Sequence, residues 1–426
     1  MRRAMPGIAV LAAGLLLAGC TASAASPGGP APSSDGIGPI TFAIGKDNSG
    51  WLRGIISGWN QGHPGQKVTL LLLPEAANDQ LAQLVANLQA RSDLYDVIDM
   101  DVIWTAEFAS NGWIIPLPPS QFPLGEFLKP AVDTAMYQGR LYAVPDYSNA
   151  GLLYYRKDIL AKAGKQPPRT WAQLQRLAET VAPRYGLYGY AGTFAPYEGL
   201  TVNFAEAVQS AGGSILSPEG TRVTVNSAKA LAGLQFLVNG FRRGWIPEVA
   251  LTYEEESSQD AFAAGKFLFL DNWPDVYAAL SVPGPQNKVY GKFGVAALPG
   301  PEGMGSSSLG GANLAISAYS RHQQTALKFI TYMTNLDNER QMLEQGSFPP
   351  VWTKLYTDKN LISRYPYLPV LKQAINSARP RPAITNYDQA SLAISSAVYE
   401  ALTQQKQPKQ ALTEMAGQLT QIIRDG

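Results

Sequence analysis

Two groups of carboxylates in this chain have a spacing that could support chemistry. Asp99 and Asp101 stand two residues apart at the end of an apolar run, so both side chains share one face if that run is a strand. Glu254, Glu255 and Glu256 form an acidic triplet directly before a helical pattern. Two carboxylates that flank a glycosidic bond are what glycoside hydrolysis requires. For the aspartates, the plainer interpretation is that they keep a strand end solvated. For the glutamates, it is that their negative charge stabilises a helix N-terminus, and we favour this interpretation over a catalytic role.

The sequence lacks the residues that zinc sites, phosphate-binding loops, serine hydrolases and dinucleotide-binding sites require. The two histidines, His63 and His322, are far apart in sequence and both are predicted to lie on the surface, so a zinc site is not expected. The sequence has no phosphate-binding loop that ends in Gly-Lys-Ser or Gly-Lys-Thr, and no Gly-x-Ser-x-Gly hydrolase elbow. The Gly-rich segment 300–311 lacks the spacing of a dinucleotide fingerprint. We therefore expect no metal and no cofactor.

The single cysteine, Cys20, lies where a lone thiol has an evident use. Arg2 and Arg3 precede an apolar run over residues 8–18 that is too short to span a bilayer, which is the layout of a secretory signal. The small residues before Cys20 resemble a bacterial lipobox, in which the peptide is cut before the cysteine and the thiol carries a lipid. A plain signal peptide with a leftover cysteine is the alternative. We expect a signal peptide over residues 1–19 and a lipidated Cys20 that anchors the chain to the outer face of the cell membrane.

The rest of the chain is close to neutral and divides into a tether and a large body. Cleavage before Cys20 would remove two of the 34 basic residues and leave 32 against 33 acidic ones. That balance gives no electrostatic footprint for nucleic acid. Residues 20–39 are rich in Ala, Ser, Pro and Gly and are predicted to be a flexible tether. The body that follows is too long for one hydrophobic core, so two lobes are expected.

Strand and helix patterns alternate along the body. Short apolar runs at 40–44, 68–73, 96–100, 151–155, 267–270 and 293–297 predict strands, and the second of them is apolar on both faces, as strands of parallel sheets are. Apolar residues with helical spacing predict helices over 51–60, 81–88 and 412–423. Thr170 and Gln173 have the spacing of a capping box that begins a further helix. This order of elements predicts an α/β fold with mostly parallel sheets.

Several segments together resemble the family 1 extracellular solute-binding proteins of ABC importers, in particular the disaccharide-binding lipoproteins of actinobacteria of the trehalose-binding type. These segments are 96–104 (DVIDMDVIW), 139–145 (GRLYAVP), 152–158 (LLYYRKD), 262–266 (FAAGK), 272–274 (NWP), 310–315 (GGANLA) and the region 365–382. The resemblance covers residues 40–426. It implies two α/β lobes joined by a hinge around an interlobe cleft, with lobe one formed by 40–139 and 306–334 and lobe two by 140–305 and 335–426.

The resemblance also implies charged and polar ligand contacts. Asp101 matches the carboxylate at the end of a lobe-one strand, although a strand cap would also explain it. Arg381 matches the family's guanidinium on the ligand, and Arg379 is its rival. Asp47 and Asn48 lie in the first strand-to-helix loop, where the cleft of an open sheet forms, although turn chemistry alone accounts for them.

Trp273 is the aromatic residue that the resemblance places against the sugar. It lies in an Asn-Trp-Pro setting after a predicted strand, and burial in the core is the alternative. Trp104 and Trp113 lie within a helical pattern and are expected in the core. Tyr197 is expected to add a wall to the site.

Five more positions complete the expected site. Glu198 would extend the wall formed by Tyr197, and Glu255 would hydrogen-bond the sugar. Asn149 matches a polar position at the hinge or is a turn residue. Gly310 and Gly311 would let the backbone approach the ligand closely, although a bare turn would also account for them.

The resemblance implies a monomeric binding protein that captures a disaccharide, such as a trehalose- or maltose-like glucoside, and delivers it to ABC permease subunits. Three alternatives stay open. They are an exported glycosidase that uses Asp101 with one residue of the triplet, the same fold with an amino acid, polyamine or glycerol phosphate as ligand, and a surface scaffold or sensor. No cluster of Lys or Arg supports a phosphate ester.

Overall fold

The computed structural model describes residues 36–45 and 51–425. The predicted signal segment, Cys20, most of the predicted tether, Asp47 and Asn48 lie outside the described residues. The described chain contains eleven strands: β1 (Ile40–Ile44), β2 (Val68–Leu72), β3 (Val97–Asp101), β4 (Met136–Tyr137), β5 (Arg140–Leu141), β6 (Ala143–Ala150), β7 (Leu152–Arg156), β8 (Tyr188–Ala191), β9 (Phe267–Asn272), β10 (Phe293–Ala296) and β11 (Leu309–Ile316).

Sixteen α-helices alternate with these strands. They are α1 (Trp51–Gly62), α2 (Ala77–Gln89), α3 (Thr105–Ser110), α4 (Lys129–Thr134), α5 (Lys157–Lys162), α6 (Trp171–Thr180), α7 (Glu198–Ser210), α8 (Ala228–Arg242), α9 (Glu255–Ala263), α10 (Val276–Ser281), α11 (Gln323–Met333), α12 (Leu336–Gly346), α13 (Lys359–Arg364), α14 (Leu368–Ser377), α15 (Tyr387–Leu402) and α16 (Pro408–Asp425). The predicted α/β class is confirmed. No helix within the described ranges is long and apolar enough to span a bilayer.

The first sheet has five strands in the order β2-β1-β3-β11-β6. β1 is parallel to both β2 and β3, whereas β11 is antiparallel to β3 and β6. α1 packs on β2, α11 packs on β11, and α4 and α14 pack against β6. β2 lies at the edge, and Leu72 is 49% exposed. Thr69 is also exposed, and Leu70 and Leu71 are only half-buried, so the apolar residues of β2 do not mark a strand that is covered on both faces.

The second sheet has four strands in the order β10-β7-β9-β8. α9 packs against β9 and α6 against β8, while α7, α8, α15 and α16 pack together. The helix predicted from Thr170 is confirmed as α6, and the Thr170 hydroxyl accepts a hydrogen bond from the backbone N–H of Gln173 at 3.2 Å. The reciprocal bond of a capping box would join the Gln173 side chain to the N–H of Thr170. Here the Gln173 side chain accepts instead from the N–H of Arg169, one residue earlier, at 2.8 Å.

The chain crosses between the two sheets at adjacent places. β6 in the first sheet runs directly into β7 in the second, with Gly151 between them. The first sheet thus extends past residue 140, where the sequence division began lobe two. Ser307, just before β11, donates its hydroxyl hydrogen to the Gly151 carbonyl at 2.7 Å. These crossings lie side by side, as expected of a hinge.

A buried acid pair, Glu206 and Asp271, lies behind this hinge. A Glu206 oxygen accepts from the N–H of Ser308 at 3.1 Å, and Tyr190 donates to Asp271 at 3.0 Å. The two carboxyls hydrogen-bond each other, and burial raises the pKa of Asp271 to about 7. Burial and the charge of Asp271 also raise the pKa of Glu206. The pair is consequently most stable with one shared proton.

Candidate functional site

A cleft of about 550 Å³ lies between the two sheets. Strand ends of the first sheet, the N-termini of α2, α7 and α9 and the segments around Trp273, Phe348 and Arg381 form its walls. The lining residues are Ile44, Gly45, Trp51, Glu75, Ala76, Ala77, Gln80, Asp99, Asp101, Trp104, Tyr147, Asn149, Glu198, Val202, Glu254, Glu255, Glu256, Ser257, Asp260, Trp273, Asp275, Gly310, Gly311, Ala312, Phe348 and Arg381. The volume is within the usual range for small-molecule sites.

Arg381 joins the carboxylates of two different walls. Its Nη2 lies 2.9 Å from an oxygen of Asp101 at the end of β3, and its Nη1 lies 2.5 Å from an oxygen of Glu198 at the start of α7. The Arg381 side chain is only 2% exposed. Arg379 points away from this network and donates to the Gly213 carbonyl at 3.5 Å. Arg381 is therefore the arginine that faces the cleft.

Asp101 has two roles that the sequence presented as alternatives. Its carboxylate accepts from the backbone N–H of Ile103 at 3.2 Å and so caps the turn that follows β3. The same carboxylate lines the cleft and pairs with Arg381. Asp99, two residues earlier on β3, also lines the cleft, so the shared face expected of the two aspartates is confirmed.

Side chains of α15 and of the segment around Arg381 hold the Glu198 carboxylate. Tyr387 donates to one oxygen at 2.7 Å, Ser391 donates to the other, and Arg381 completes the set. Burial raises the pKa of Glu198, while the nearby guanidinium opposes that rise. The backbone N–H of Glu198 donates to the Asn78 side chain at 3.0 Å, which joins α7 to α2 across the cleft. Two polar links thus connect the walls, Asn78 to Glu198 and Asp101 to Arg381.

Trp273 leaves the end of β9 and contributes its ring to the cleft. Asn272 fixes this turn, because its amide nitrogen donates to the carbonyl of Glu255 at 3.0 Å and its oxygen accepts from the N–H of Trp273 at 2.7 Å. The ring is partly exposed rather than buried in the core. It lies beside Gly310, where a Cβ atom would be 2.9 Å from the ring and 2.5 Å from the Asn149 oxygen.

Gly310 and Gly311 belong to β11 rather than to a turn. Gly311 has φ +120°, and a Cβ atom there would lie 2.2 Å from the Tyr147 carbonyl oxygen on β6. Both glycines line the cleft. Their small size is required by the neighbouring strand and by Trp273. Close strand packing therefore accounts for these glycines before any ligand is considered.

The acidic triplet begins α9 at the edge of the cleft. Glu254 is the N-cap and forms a capping box with Ser257, whose hydroxyl accepts from the N–H of Glu254 at 2.8 Å. The predicted role at a helix N-terminus is confirmed. Tyr197 donates to Glu255 at 2.5 Å, and loss of hydration raises the pKa of Glu255 to about 7. Tyr197 does not line the cleft itself and acts on it through Glu255.

The structure brings most of the predicted residues together. Asp101, Asn149, Glu198, Glu255, Trp273, Gly310, Gly311 and Arg381 all line one cleft, whereas Asp47 and Asn48 lie outside the described residues. Trp113 is buried as expected, and Trp104 is buried but also reaches the cleft wall.

Sequence reasoning missed several residues of the cleft. Trp51, Tyr147 and Phe348 supply three aromatic rings, and the ring centroids of Tyr147 and Phe348 lie 5.0 Å apart. Tyr147 is next but one to Asn149 on β6, so its place at the hinge was a usable signal. Phe348 follows α12 far from the other segments in sequence, and no local pattern marks it.

The part of the chain that the structure describes has no set of side chains that could bind a metal ion. No group of three or more His, Cys, Asp or Glu side chains is arranged there to hold a metal ion. His63 stacks on Trp59 with ring centroids 3.8 Å apart, outside the cleft. The lining of the cleft combines aromatic rings with carboxyl groups that can form hydrogen bonds.

Comparison with known proteins agrees with this geometry. Residues 45–339 match the model of the bacterial extracellular solute-binding proteins, and the chain belongs to that family. A probable ABC transporter-binding protein of Deinococcus radiodurans is 35% identical over 374 residues, which cover 84% of this chain and 87% of the relative. A mannitol-binding protein of Pseudomonas aeruginosa is 26% identical over 65% of this chain and 64% of its own length.

Solved structures show the same two-lobe fold. Maltose-bound MalE3 of T. maritima has a TM-score of 0.84 and 33% identity, over 89% of this chain and 98% of its own. A solute-binding protein of Thermotoga lettingae with bound α-D-tagatose has a TM-score of 0.82 and 23% identity, over 91% and 100% of the two chains. The predicted two-lobe fold is confirmed. The family consists of solute-binding proteins, which gives no support to the glycosidase alternative.

Proposed function

We propose that this protein captures a sugar, a disaccharide of the trehalose or maltose type, in the cleft and delivers it to the permease of an ABC importer. The observation that carries the proposal is the composition of one cleft, in which Trp273, Trp51 and other rings lie beside paired carboxylates and Arg381. Sugars offer apolar C–H faces and a rim of hydroxyls. Aromatic rings suit the faces, and carboxylate and guanidinium groups suit adjacent hydroxyls.

Most of the relatives and solved structures whose names state a ligand carry a sugar or a polyol, while a relative from Sinorhizobium fredii is named for an amino-acid ABC transporter. MalE3 of T. maritima carries maltose in its structure, and one curated relative binds mannitol while another, from Halalkalibacterium halodurans, binds arabinooligosaccharide. The Deinococcus relative is named for an ABC transporter. We therefore propose a sugar ligand for this chain, and the thermal-shift panel below distinguishes among the disaccharides.

Ligand binding would favour the closed form of the cleft, in which hydrogen bonds and ion pairs join its two walls. The Asn78–Glu198 and Asp101–Arg381 contacts both join elements on opposite sides of the cleft. A ligand that touches both walls binds the closed form more tightly than the open form and shifts the population toward closure. The closed form would then be the one that the permease recognises.

We extend the proposal to the location of the protein. Cleavage before Cys20 and lipidation of its thiol would hold the binding lobes outside the cytoplasmic membrane, within reach of a permease. Expression of the full chain with Cys20→Ser should release the protein into the soluble extracytoplasmic fraction, whereas the unchanged chain stays with the membrane. Membrane retention of the Cys20→Ser protein would refute the lipid anchor without affecting the sugar site.

A thermal-shift panel tests the binding function. The chain from residue 21 onward would be mixed with trehalose, maltose, sucrose, cellobiose, glucose, mannitol, an amino-acid mixture and glycerol phosphates. A ligand at about 100 times its Kd adds roughly 2.7 kcal/mol to the free energy of unfolding. Stabilisation by one disaccharide supports the proposal. Stabilisation by amino acids or glycerol phosphates alone contradicts it.

A matched pair of variants shows whether binding uses the cleft. Trp273→Ala removes the ring at the cleft, and Tyr188→Ala removes an aromatic ring that is 49% exposed on β8. We expect Trp273→Ala to weaken sugar binding at least tenfold and Tyr188→Ala to leave the Kd unchanged. Equal affinities of the two variants would remove Trp273 from the site.

Product analysis after long incubation with the bound disaccharide tests for hydrolysis, and released glucose would support the glycosidase alternative.

A further inference from the structure

Two of the places where the chain crosses between the sheets meet at one buried carboxyl. The backbone N–H of Ser308, at the crossing that leads into β11, donates to an oxygen of Glu206 on α7 at 3.1 Å. Gly151, at the crossing from β6 to β7, lies against the same carboxyl, since a Cβ atom there would be 2.2 Å from Glu206 Oε1. Ser307 joins the two crossings through its bond to the Gly151 carbonyl. A rotation of one sheet relative to the other at these residues therefore changes the surroundings of Glu206.

The Glu206 carboxyl faces a second carboxyl in the interior of the protein. Asp271, near the end of β9, hydrogen-bonds Glu206, and both side chains are buried. Two carboxylates in contact repel each other strongly where little water is present, so the pair retains one proton while its surroundings are dry. Asp271 is also two residues before Trp273, whose ring contributes to the cleft. The pair thus connects the hinge crossings with the strand that carries a residue of the site.

Two other titratable side chains act on this pair. Tyr190 on β8 donates its hydroxyl hydrogen to Asp271 at 3.0 Å, and this bond favours the ionised form of Asp271. The charge of Arg381 opposes the rise in the pKa of Glu206 without forming an ion pair with it. Leu153 of β7 stands opposite Asp271 in the sheet. Among the described residues, no charged side chain of α8, α9 or α15 forms a hydrogen bond or an ion pair with either carboxyl. A second negative charge on the pair would therefore lack a counter-ion in contact with it.

Ionisation of the pair is linked to the position of the hinge. Burial in the closed structure raises the pKa of both carboxyls, and that of Asp271 reaches about 7. Rotation at Gly151 and Ser308 would let water reach the pair and hydrate the second charge, so these pKa values would fall toward their ordinary range. The closed form consequently binds the proton more tightly than the open form. Its advantage is fully present at low pH and is lost as the pH rises through the pKa of the pair in the closed form.

We propose that Glu206 and Asp271 form a pH-sensitive switch at the hinge, which favours the closed cleft while the pair holds a proton and the open cleft when both carboxyls are ionised. The conformational step needs no ligand. Its consequence, weaker capture of the solute at higher pH, rests on the proposed binding function and describes how that function is regulated. Because one proton is exchanged, the ratio of closed to open protein changes by at most about tenfold per pH unit.

Other buried carboxyls titrate in the same pH range as the pair. Glu107 on α3 is one of them, because burial and the charge of Asp388 on α15 raise its pKa to about 7. α3 follows β3 of the first sheet, whereas α15 packs on α7. Within the described ranges, the Glu107 side chain makes no hydrogen bond to Gly151 or Ser308. Glu107→Gln therefore removes a titrating acid while the contacts at the two hinge crossings stay in place, which makes it the matched control.

Energy transfer between two dyes measures the open fraction directly. Cys20 is the only cysteine in the sequence, so the chain from residue 21 onward takes labels only at introduced cysteines. Ala82→Cys on α2 and Thr252→Cys just before α9 are suitable, because both positions are exposed and the two helices line the cleft with their N-termini. Single-molecule measurements without ligand, from pH 5.5 to 8.5 and with dyes that do not respond to pH, give the populations. We expect the ratio of open to closed protein to increase by about threefold or more.

Three variants connect this response to the proposed atoms. Glu206→Gln keeps an acceptor for the N–H of Ser308 but removes the ionisation, so its open fraction should stay at the low-pH value of the parent protein. Tyr190→Phe removes the bond that favours ionised Asp271 and should move the midpoint of the response to higher pH. The control Glu107→Gln should keep the response of the parent protein. Thermal unfolding at pH 6 confirms that each variant is folded before the populations are compared.

Titrations with maltose and trehalose then connect the switch to affinity. The Kd of the sugar that binds should increase by about threefold or more from pH 6 to 8.5 in the parent protein and should lose this factor in Glu206→Gln. An open fraction that does not depend on pH, or a response that persists in Glu206→Gln, overturns the switch. A response that disappears in Glu107→Gln alone assigns the effect to Glu107 and overturns it as well. If neither sugar binds, the sugar-binding function fails, whereas the energy-transfer result still decides the switch.

Discussion

Replacement of Arg381 by methionine is the perturbation with the best-defined consequence. The side chain is 2% exposed, and it pairs with Glu198 at 2.5 Å and with Asp101 at 2.9 Å. Methionine has a similar length and fills the space of the aliphatic stem, so the principal change is the lost charge. Two carboxylates would then remain in the cleft wall without their counter-ion.

The magnitude follows from the burial of the network. Removal of one partner from a buried ion pair costs about 3–5 kcal/mol, because a charge is left without compensation. A change of 1 kcal/mol moves the Tm of a domain of 150–250 residues by about 2–4 °C, so we expect a decrease of about 6–20 °C. Arg379→Met is the matched control, because the exposed Arg379 side chain lies outside this network and donates to the Gly213 carbonyl at 3.5 Å, so its loss should change Tm little.

The pH dependence gives the decisive measurement. Glu198 already has a raised pKa, and loss of the guanidinium, which opposes that rise, should raise it further. A carboxyl with a raised folded-state pKa loses stability as pH increases from its unfolded-state pKa to its folded-state pKa. The Tm difference between Arg381→Met and the parent protein should therefore be large at pH 8 and small near pH 4.5.

The assay is differential scanning calorimetry of the three proteins from pH 4.5 to 8. Glu198→Gln in the Arg381→Met background removes one of the unpaired charges and should restore part of the Tm at pH 8. A Tm difference that does not depend on pH, or an equal loss in Arg379→Met, would refute the role of the ion network.

Three further predictions follow from single contacts. Gly311→Ala places a Cβ atom 2.2 Å from the Tyr147 carbonyl, so it should lower Tm by several degrees in a thermal melt; an unchanged Tm would show that the strands can separate locally without cost. Asn78→Ala removes a link to Glu198 across the cleft and should shift small-angle scattering of the ligand-free protein toward a larger radius; identical profiles would contradict its role in closure. Asp271→Asn removes the repulsion between the carboxyls of Asp271 and Glu206. Because the pKa of Asp271 is raised, its ionisation destabilises the fold as pH rises, so the Tm of the variant should exceed that of the parent at pH 8 and approach it near pH 4. A gain in Tm at low pH instead would contradict the shared proton.

Much of the fold could be predicted because it depends on local patterns. The apolar runs that became β1, β3, β7, β9 and β10 are found in the structure within one or two residues of the expected bounds. Their hydrophobic residues and the flanking turn residues act within a few positions along the chain. The edge position of β2 could not be predicted in this way, because the number of neighbours of a strand depends on the order of strands in the sheet.

The site was predicted unevenly for the same reason. Asp101 and Trp273 follow strands, and strand ends meet at the cleft, so their position was accessible from local structure and family resemblance. Tyr197 was expected as a wall but lies behind Glu255, because the direction of its side chain is set by packing around α7 and α9. Phe348 gave no signal, since only the return of the chain after α12 brings its ring near Tyr147.

The sequence by itself determined the class of the elements, the two-lobe family and the residue types that a sugar site needs, since periodicity and motif spacing are local properties. The tertiary structure decided which carboxylates share the cleft and which of the two arginines neutralises them. It also placed Asp99 in a buried acidic wall. Burial and charge pairing are sums over residues far apart in sequence, and these sums take definite values only when the chain is folded.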